Sequence, residues 1–139
     1  MRIMGLDVGT KRIGVALSDE GLCIASPHTQ IERVSLVKDM DRIKGLAEEY
    51  SVELIVSGLP LNMNGSSGPQ AEYVLRFIEK LERHTGLKVE TWDERLSTVA
   101  VTKVLIKGGS SRRDRKKAVD KLSASYILQS YLDRRAGSS

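Results

Sequence analysis

"RIMGLDVGTKRIGVALSD", residues 2–19, sets the architecture. Met4, Leu6 and Val8 alternate with Ile3, Gly5 and Asp7, which is the two-residue period of a strand. Gly9-Thr10-Lys11-Arg12 interrupts the run, and Ile13, Val15 and Leu17 then alternate again, so the stretch predicts a β-hairpin. Asp7 is its anomaly. An unpaired carboxylate carries a large desolvation penalty when buried, yet this one stands between Leu6 and Val8.

On either side of this hairpin the pattern is regular. A third strand is expected over about 22–31, with Pro27 implying a sheet edge or a bulge. The period then changes: Leu36, Val37, Met40, Ile43, Leu46 and Ala47 fall at helical spacing behind Ser35, a possible N-cap. "ELIVSGLP", 53–60, reads as a buried strand and "LNMNGSSG" as a loop. Pro69 suits the first turn of a helix that turns Ala71, Val74, Leu75, Ile78 and Leu81 inward and ends near Gly86. "KVETWD", 88–93, reads as the last strand and "STVAVTKVLIKGG", 97–109, as a helix closed by Gly108. A flexible basic loop over about 108–117 follows, then a final helix from Ala118 to about Arg134 and a frayed tail at about 135–139.

The last two strands each follow a helix, so right-handed crossovers can lay them parallel to the first. The result is a mixed five-stranded α/β sheet in one domain spanning residues 1–139. Ligands of such sheets gather beyond the carboxyl ends of the parallel strands. Asp7, the loop 59–68 and Asp93-Glu94-Arg95 all map to that edge.

Composition narrows the chemistry. Apolar residues make up 40% and charged residues 29%, ordinary for a soluble protein. The single cysteine, Cys23, forms no internal disulfide, and with only His28 and His84 beside it a zinc centre is not expected. Cys23 lies in a strand-like run and reads as core. No run approaches membrane-spanning length, and the N-terminal apolar run is too short for a signal peptide, so a reduced cytoplasmic protein without a membrane partner is expected. The net charge is +4, and residues 107–121 alone carry +5, leaving the other 124 residues at −1. A near-neutral body with one basic segment favours local contact with a polyanion.

Acidic residues at three places in the chain look misplaced. Asp7 ends one strand, Asp93 and Glu94 end another, and Asp120 shares the apolar stripe of the final helix with Ala124, Ile127, Leu128 and Tyr131. Each has an ordinary explanation as a turn cap or a partner of a helix N-terminus. Converging at one edge, they would suit Mg²⁺ or Mn²⁺, which take oxygen ligands and activate phosphodiester hydrolysis. No nucleophile elbow, paired helical histidines or Walker loop offers a competing chemistry. Candidate phosphate holders are Thr10, Lys11 and Arg12 in the turn, Asn62 and Asn64 in the loop, and Arg95. The basic segment adds Arg112, Arg113, Arg115, Lys116 and Lys117. Arg12 could instead pair with Asp19 or Glu20.

"GLDVGTKRIGVALSD", "VSGLPLNMNGS", "WDERLST" and "KKAVDKLSASYILQSYL" together resemble the four signature blocks of the YqgF family, in order, from residue 5 to residue 132. Members of that family are assigned as Holliday-junction resolvases or as nucleases maturing the 5′ end of small-subunit ribosomal RNA. The resemblance implies a ribonuclease H-like fold with sheet order 3-2-1-4-5, strand 2 antiparallel. It also implies metal-dependent cleavage of nucleic acid, either an rRNA precursor or branched DNA, by a monomer or homodimer. Asp7, Glu94 and Asp120 match the family's acids, with Asp93 as the alternative to Glu94. Asn64 stands where many relatives carry Asp, and Ser97 where they carry Thr. The fourth strand ends in Leu59 and Pro60, where ribonuclease H-like nucleases usually place an acid. The second carboxylate must therefore come from the fifth strand, about 10 Å from Asp7 at backbone level.

Two other classes compete. Asp-x-Gly-Thr on a hairpin also resembles the phosphate-binding turn of actin-like ATPases and sugar kinases, which close two such domains over a nucleotide. A non-catalytic module binding structured RNA or DNA would share the basic segment.

Overall fold

The computed structural model describes residues 1–96 and 112–137, with side chains for 1–96 and 122–137. The hairpin forms as expected. β1 (Arg2–Val8) pairs antiparallel with β2 (Arg12–Ser18), placing Asp7 opposite Gly14. β3 (Ala25–Glu32), α1 (Leu36–Glu49), β4 (Val52–Leu59), α2 (Pro69–Thr85) and β5 (Lys88–Asp93) follow. A single 3₁₀ turn, Glu94–Leu96, and the long helix α3 (Arg112–Gly137) complete the described chain. The sheet order is β3-β2-β1-β4-β5, with β4 parallel to both β1 and β5.

Alternation along the strands sorts two cores. Met4, Leu6 and Val8 join Ile13, Val15 and Ile31 beneath Met40, Ile43 and Ala47 of α1 and Val74, Phe77, Ile78 and Leu81 of α2. Ile3, Ala16 and Val56 face the other way, against Ala124, Ile127, Leu128 and Leu132 of α3. Burying each such aliphatic side chain contributes about 1.5–3 kcal/mol. Gly5 lets α3 lie close on the sheet: a Cβ there would stand 2.7 Å from Leu128 Cβ and 2.9 Å from the Ala124 carbonyl oxygen.

Local signals account for most boundaries. The Ser35 hydroxyl accepts from the Lys38 N–H at the start of α1. Pro69 opens α2, and Gly86 closes it at φ 74°, a left-handed conformation that favours glycine. Pro27 lies on the edge strand beside a register shift, so it is both an edge and a bulge residue.

Several expectations are corrected. Cys23 is exposed, because Asp19 Oδ1 accepts the N–H groups of Cys23 (2.7 Å) and Ile24 (2.9 Å) and bends 19–24 into a turn. β3 accordingly starts at Ala25 rather than about residue 22. Val37 and Leu75 point outward, at the margins of their helical stripes, and Phe77 fills the inward place on α2. Arg12 pairs with Glu32 at 2.8 Å, its register partner on β3, whereas Asp19 and Glu20 lie beyond the far end of β2. α3 begins at Arg112, not Ala118, and runs to Gly137, because 112–117 is rich in helix-forming Arg and Lys and the last glycine before it is Gly109. The helix expected over 97–109 and residues 108–111 of the basic loop lie outside the described residues.

Candidate active site

Strand parity decides which carboxylates share a face. Asp7 follows Ile3 and Gly5, so it lies on the α3 side of β1 at the carboxyl end. Gly58 follows Val56 onto the same side of β4, one step past the paired Leu6 and Ser57. On β5, Glu90 accepts from the Tyr131 hydroxyl (2.8 Å) and Trp92 Nε1 donates to Ser130 Oγ (3.0 Å), so that face also meets α3. Glu94 continues this parity into the 3₁₀ turn and is 8% exposed.

The gap between β5 and β1 is bridged by a missing side chain. A Cβ on Gly58 would stand 2.5 Å from Ile127 Cδ1, 3.0 Å from Glu94 Cγ and 3.3 Å from Glu94 Cδ. Glu94 therefore lies over the bare backbone of β4, on the sheet face that bears Asp7. Gly14, opposite Asp7 on β2, likewise presents no side chain. The sequence contained the signal: an isolated glycine in an apolar strand marks a close approach.

Asp93 has a different task. Its carboxylate accepts from Arg95 Nε (3.1 and 3.0 Å), Arg95 Nη2 (2.7 Å) and the Arg95 N–H (2.9 Å). The guanidinium holds this carboxyl below the usual carboxylate range, and the Arg95 pKa is raised in turn. Arg95 Nη1 also donates to the Met63 carbonyl at 3.0 Å, so Arg95 ties the 3₁₀ turn to the loop after β4. Within that loop Asn64 Oδ1 accepts from the Ser66 N–H and hydroxyl, and Asn62 Nδ2 donates to Ser66 Oγ. Both Asn side chains thus help build the loop.

Thr10, Lys11 and Arg12 are exposed in the β1–β2 turn, which the Gly9 N–H closes on the Arg12 carbonyl at 2.9 Å. Asp120 lies on α3, four residues before Ala124 and seven before Ile127, the two residues that meet Gly5 and Gly58. Its side chain, and those of Arg112, Arg113, Arg115, Lys116 and Lys117, are outside the described set. Among the described residues no group of three His, Cys, Asp or Glu side chains could hold a metal ion. Among them also, no helix is long and apolar enough to cross a membrane.

Comparison with known proteins adds an independent line. The family model described as "RuvX: Holliday junction resolvase" matches residues 1–134. A protein of Desulforamulus reducens named "Putative pre-16S rRNA nuclease" is 55% identical over 133 residues, covering 96% of this chain and 97% of that protein. Proteins of the same name from Clostridium kluyveri and Clostridium botulinum are 51% and 49% identical, each covering 96% of this chain and 98% and 97% of theirs. Among solved structures, Thermus thermophilus RuvC in complex with a Holliday junction substrate superposes with a TM-score of 0.62 at 12% identity, covering 99% of this chain and 97% of that one. A second Thermus thermophilus RuvC structure gives 0.58 over the same shares. At such identity the likeness speaks for the fold, which is the ribonuclease H-like one of RuvC.

Proposed function

The chain belongs to the RuvX/YqgF family, and on that footing we propose that it is a cytoplasmic, metal-dependent nuclease that processes the 5′ end of pre-16S rRNA. In this reading residues 1–139 act as one nuclease domain. The observation that carries it is the seat of Glu94 over Gly58, on the face that bears Asp7. A half-buried Asp7 and a buried Glu94 at the carboxyl edge of parallel strands form a hard, all-oxygen donor set. That set fits Mg²⁺ or Mn²⁺, with Asp7, Glu94 and Asp120 as the holding residues. When bound, the cation supplies Lewis acidity at the scissile phosphate.

The chain's own groups do the rest. Thr10 and Lys11 offer an N–H, a hydroxyl and an ammonium to phosphate from the turn, with Arg12 beside them. Asp93 and Arg95 fix the 3₁₀ turn from which Glu94 projects, and Asn62 and Asn64 shape the neighbouring loop. Arg112, Arg113, Arg115, Lys116 and Lys117 grip backbone further out, where contacts are to phosphate and carry no sequence information.

The test is a side-by-side cleavage assay with Mn²⁺, on a precursor rRNA leader and on a four-way DNA junction. The precursor is expected to be cut, and Asp7→Asn is expected to lower the rate by about 100-fold or more while retaining RNA binding. Cleavage of the junction alone would replace the RNA substrate with branched DNA. Undiminished cleavage by Asp7→Asn would overturn the site, and binding without cleavage on either substrate would leave a non-catalytic module.

A further inference from the structure

Arg33 is a heavily engaged cation in the described structure, and the nuclease reading assigns it nothing. It follows β3 on the α1/α2 side of the sheet, with its side chain only 12% exposed. Nε donates to Asp39 Oδ2 at 3.1 Å, and Asp39 is itself buried and accepts the Val34 N–H at 3.0 Å. Nη1 donates to the Tyr73 hydroxyl and, at 3.0 Å, to the Gly9 carbonyl. The guanidinium stands 5.6 Å from the Tyr73 ring centre and 5.1 Å from that of Phe77. The Arg33 main-chain N–H donates to the Lys11 carbonyl at 3.0 Å. One residue thus grips the β1–β2 turn at two carbonyls and anchors it to both α1 and α2.

The two grips orient the turn. The C=O and N–H of a trans peptide point in opposite directions. Holding the Gly9 carbonyl toward Arg33 turns the Thr10 N–H away from the α1/α2 layer. That N–H has no partner among the described residues. Arg33 is largely neutralised by Asp39, so its charge adds little to the attraction of a polyanion.

We infer that Arg33 is a positioning residue: it clamps the Gly9–Arg12 turn so that the Thr10 N–H is presented to a substrate phosphate oxygen. The inference rests on the phosphate-binding role of this turn in the nuclease reading. Pre-orienting one donor removes an ordering step from binding.

The test uses the full chain and a short single-stranded oligoribonucleotide, comparing wild type, Arg33→Lys and Tyr73→Phe. Arg33→Lys keeps the charge and loses the fork, and Tyr73→Phe removes one hydroxyl contact. In the wild type the Thr10 amide resonance is expected to shift on titration with the RNA. Arg33→Lys is expected to reduce that shift and raise Kd by about threefold to tenfold, with the slope of log K against log salt unchanged. Tyr73→Phe is expected to move both readouts the same way by less. A Thr10 amide shift of full wild-type size in Arg33→Lys would mean that the turn does not depend on the clamp, and would overturn the inference. So would a Thr10 amide indifferent to RNA in the wild type, or an unchanged Kd in Arg33→Lys. If Arg33→Lys does not fold, Tyr73→Phe decides, and wild-type values there overturn the inference. Cleavage with a silent Thr10 amide removes the clamp and keeps the nuclease. A responsive Thr10 amide without cleavage does the reverse.

Discussion

At the scale of single residues, the site is organised as much by an absent side chain as by present ones. Gly58→Ala would drive a methyl to 2.5 Å from Ile127 Cδ1 and 3.0 Å from Glu94 Cγ. Overpacking of this kind costs about 1–3 kcal/mol, which denaturant titration would register. Cleavage should fall further than the stability loss explains, because Glu94 is the group displaced. Asp93 makes a pH prediction. Its folded pKa is held down by Arg95, so its contribution to stability is present above the ordinary carboxylate value and is lost as pH falls through the depressed one. Asp93→Asn should therefore flatten the acid limb of the stability profile below about pH 4, measured by urea titration across that limb. Which of Asp93 and Glu94 shares the sheet face of Asp7 was not legible in "WDER". Both residues are acidic, and only the packing of Trp92 and Glu90 on α3 fixes the parity.

Among the elements, α3 matters most, because it carries Asp120 and covers the face that bears Asp7. Its closeness depends on Gly5. In Gly5→Ala the new methyl would meet the Ala124 carbonyl oxygen at 2.9 Å, and a backbone atom cannot rotate aside. The helix must lift, with an expected loss of about 1–3 kcal/mol, and cleavage should drop as Asp120 moves with it. Pairing a denaturation curve with a rate measurement checks both outcomes. The elements themselves were readable where local chemistry is strong: alternation in 2–8, Ser35 as a cap, Pro69 and Gly86 at the two ends of α2. Reading failed where a side chain competes with the backbone pattern. Asp19 captures two N–H groups and turns an apparent strand around Cys23 into a loop. The first turns of α3 were hidden because a run of Arg and Lys reads as solvated loop by charge, although its intrinsic helix propensity is high.

For the molecule as a whole, charge distribution predicts how it meets nucleic acid. Residues 107–121 carry +5 against −1 for the remainder. Binding should weaken steeply with salt, and Arg112→Gln with Arg113→Gln should lower the log–log slope by about 0.7 for each phosphate contact removed on single-stranded RNA. Fluorescence anisotropy at a series of salt concentrations would read it. Sequence alone determined the first hairpin, the face on which Asp7 lies and the presence of a basic segment, because period, turn residues and charge are local properties of a chain, while the sheet order was implied by the family resemblance. Tertiary structure alone decided that Glu94 lies over Gly58 on β4, that Asp93 belongs to Arg95, and that Arg33 braces the turn from behind. Those facts depend on which atoms meet across strands and helices far apart in sequence, and no periodicity encodes a contact between residues 58 and 94 or between 33 and 9.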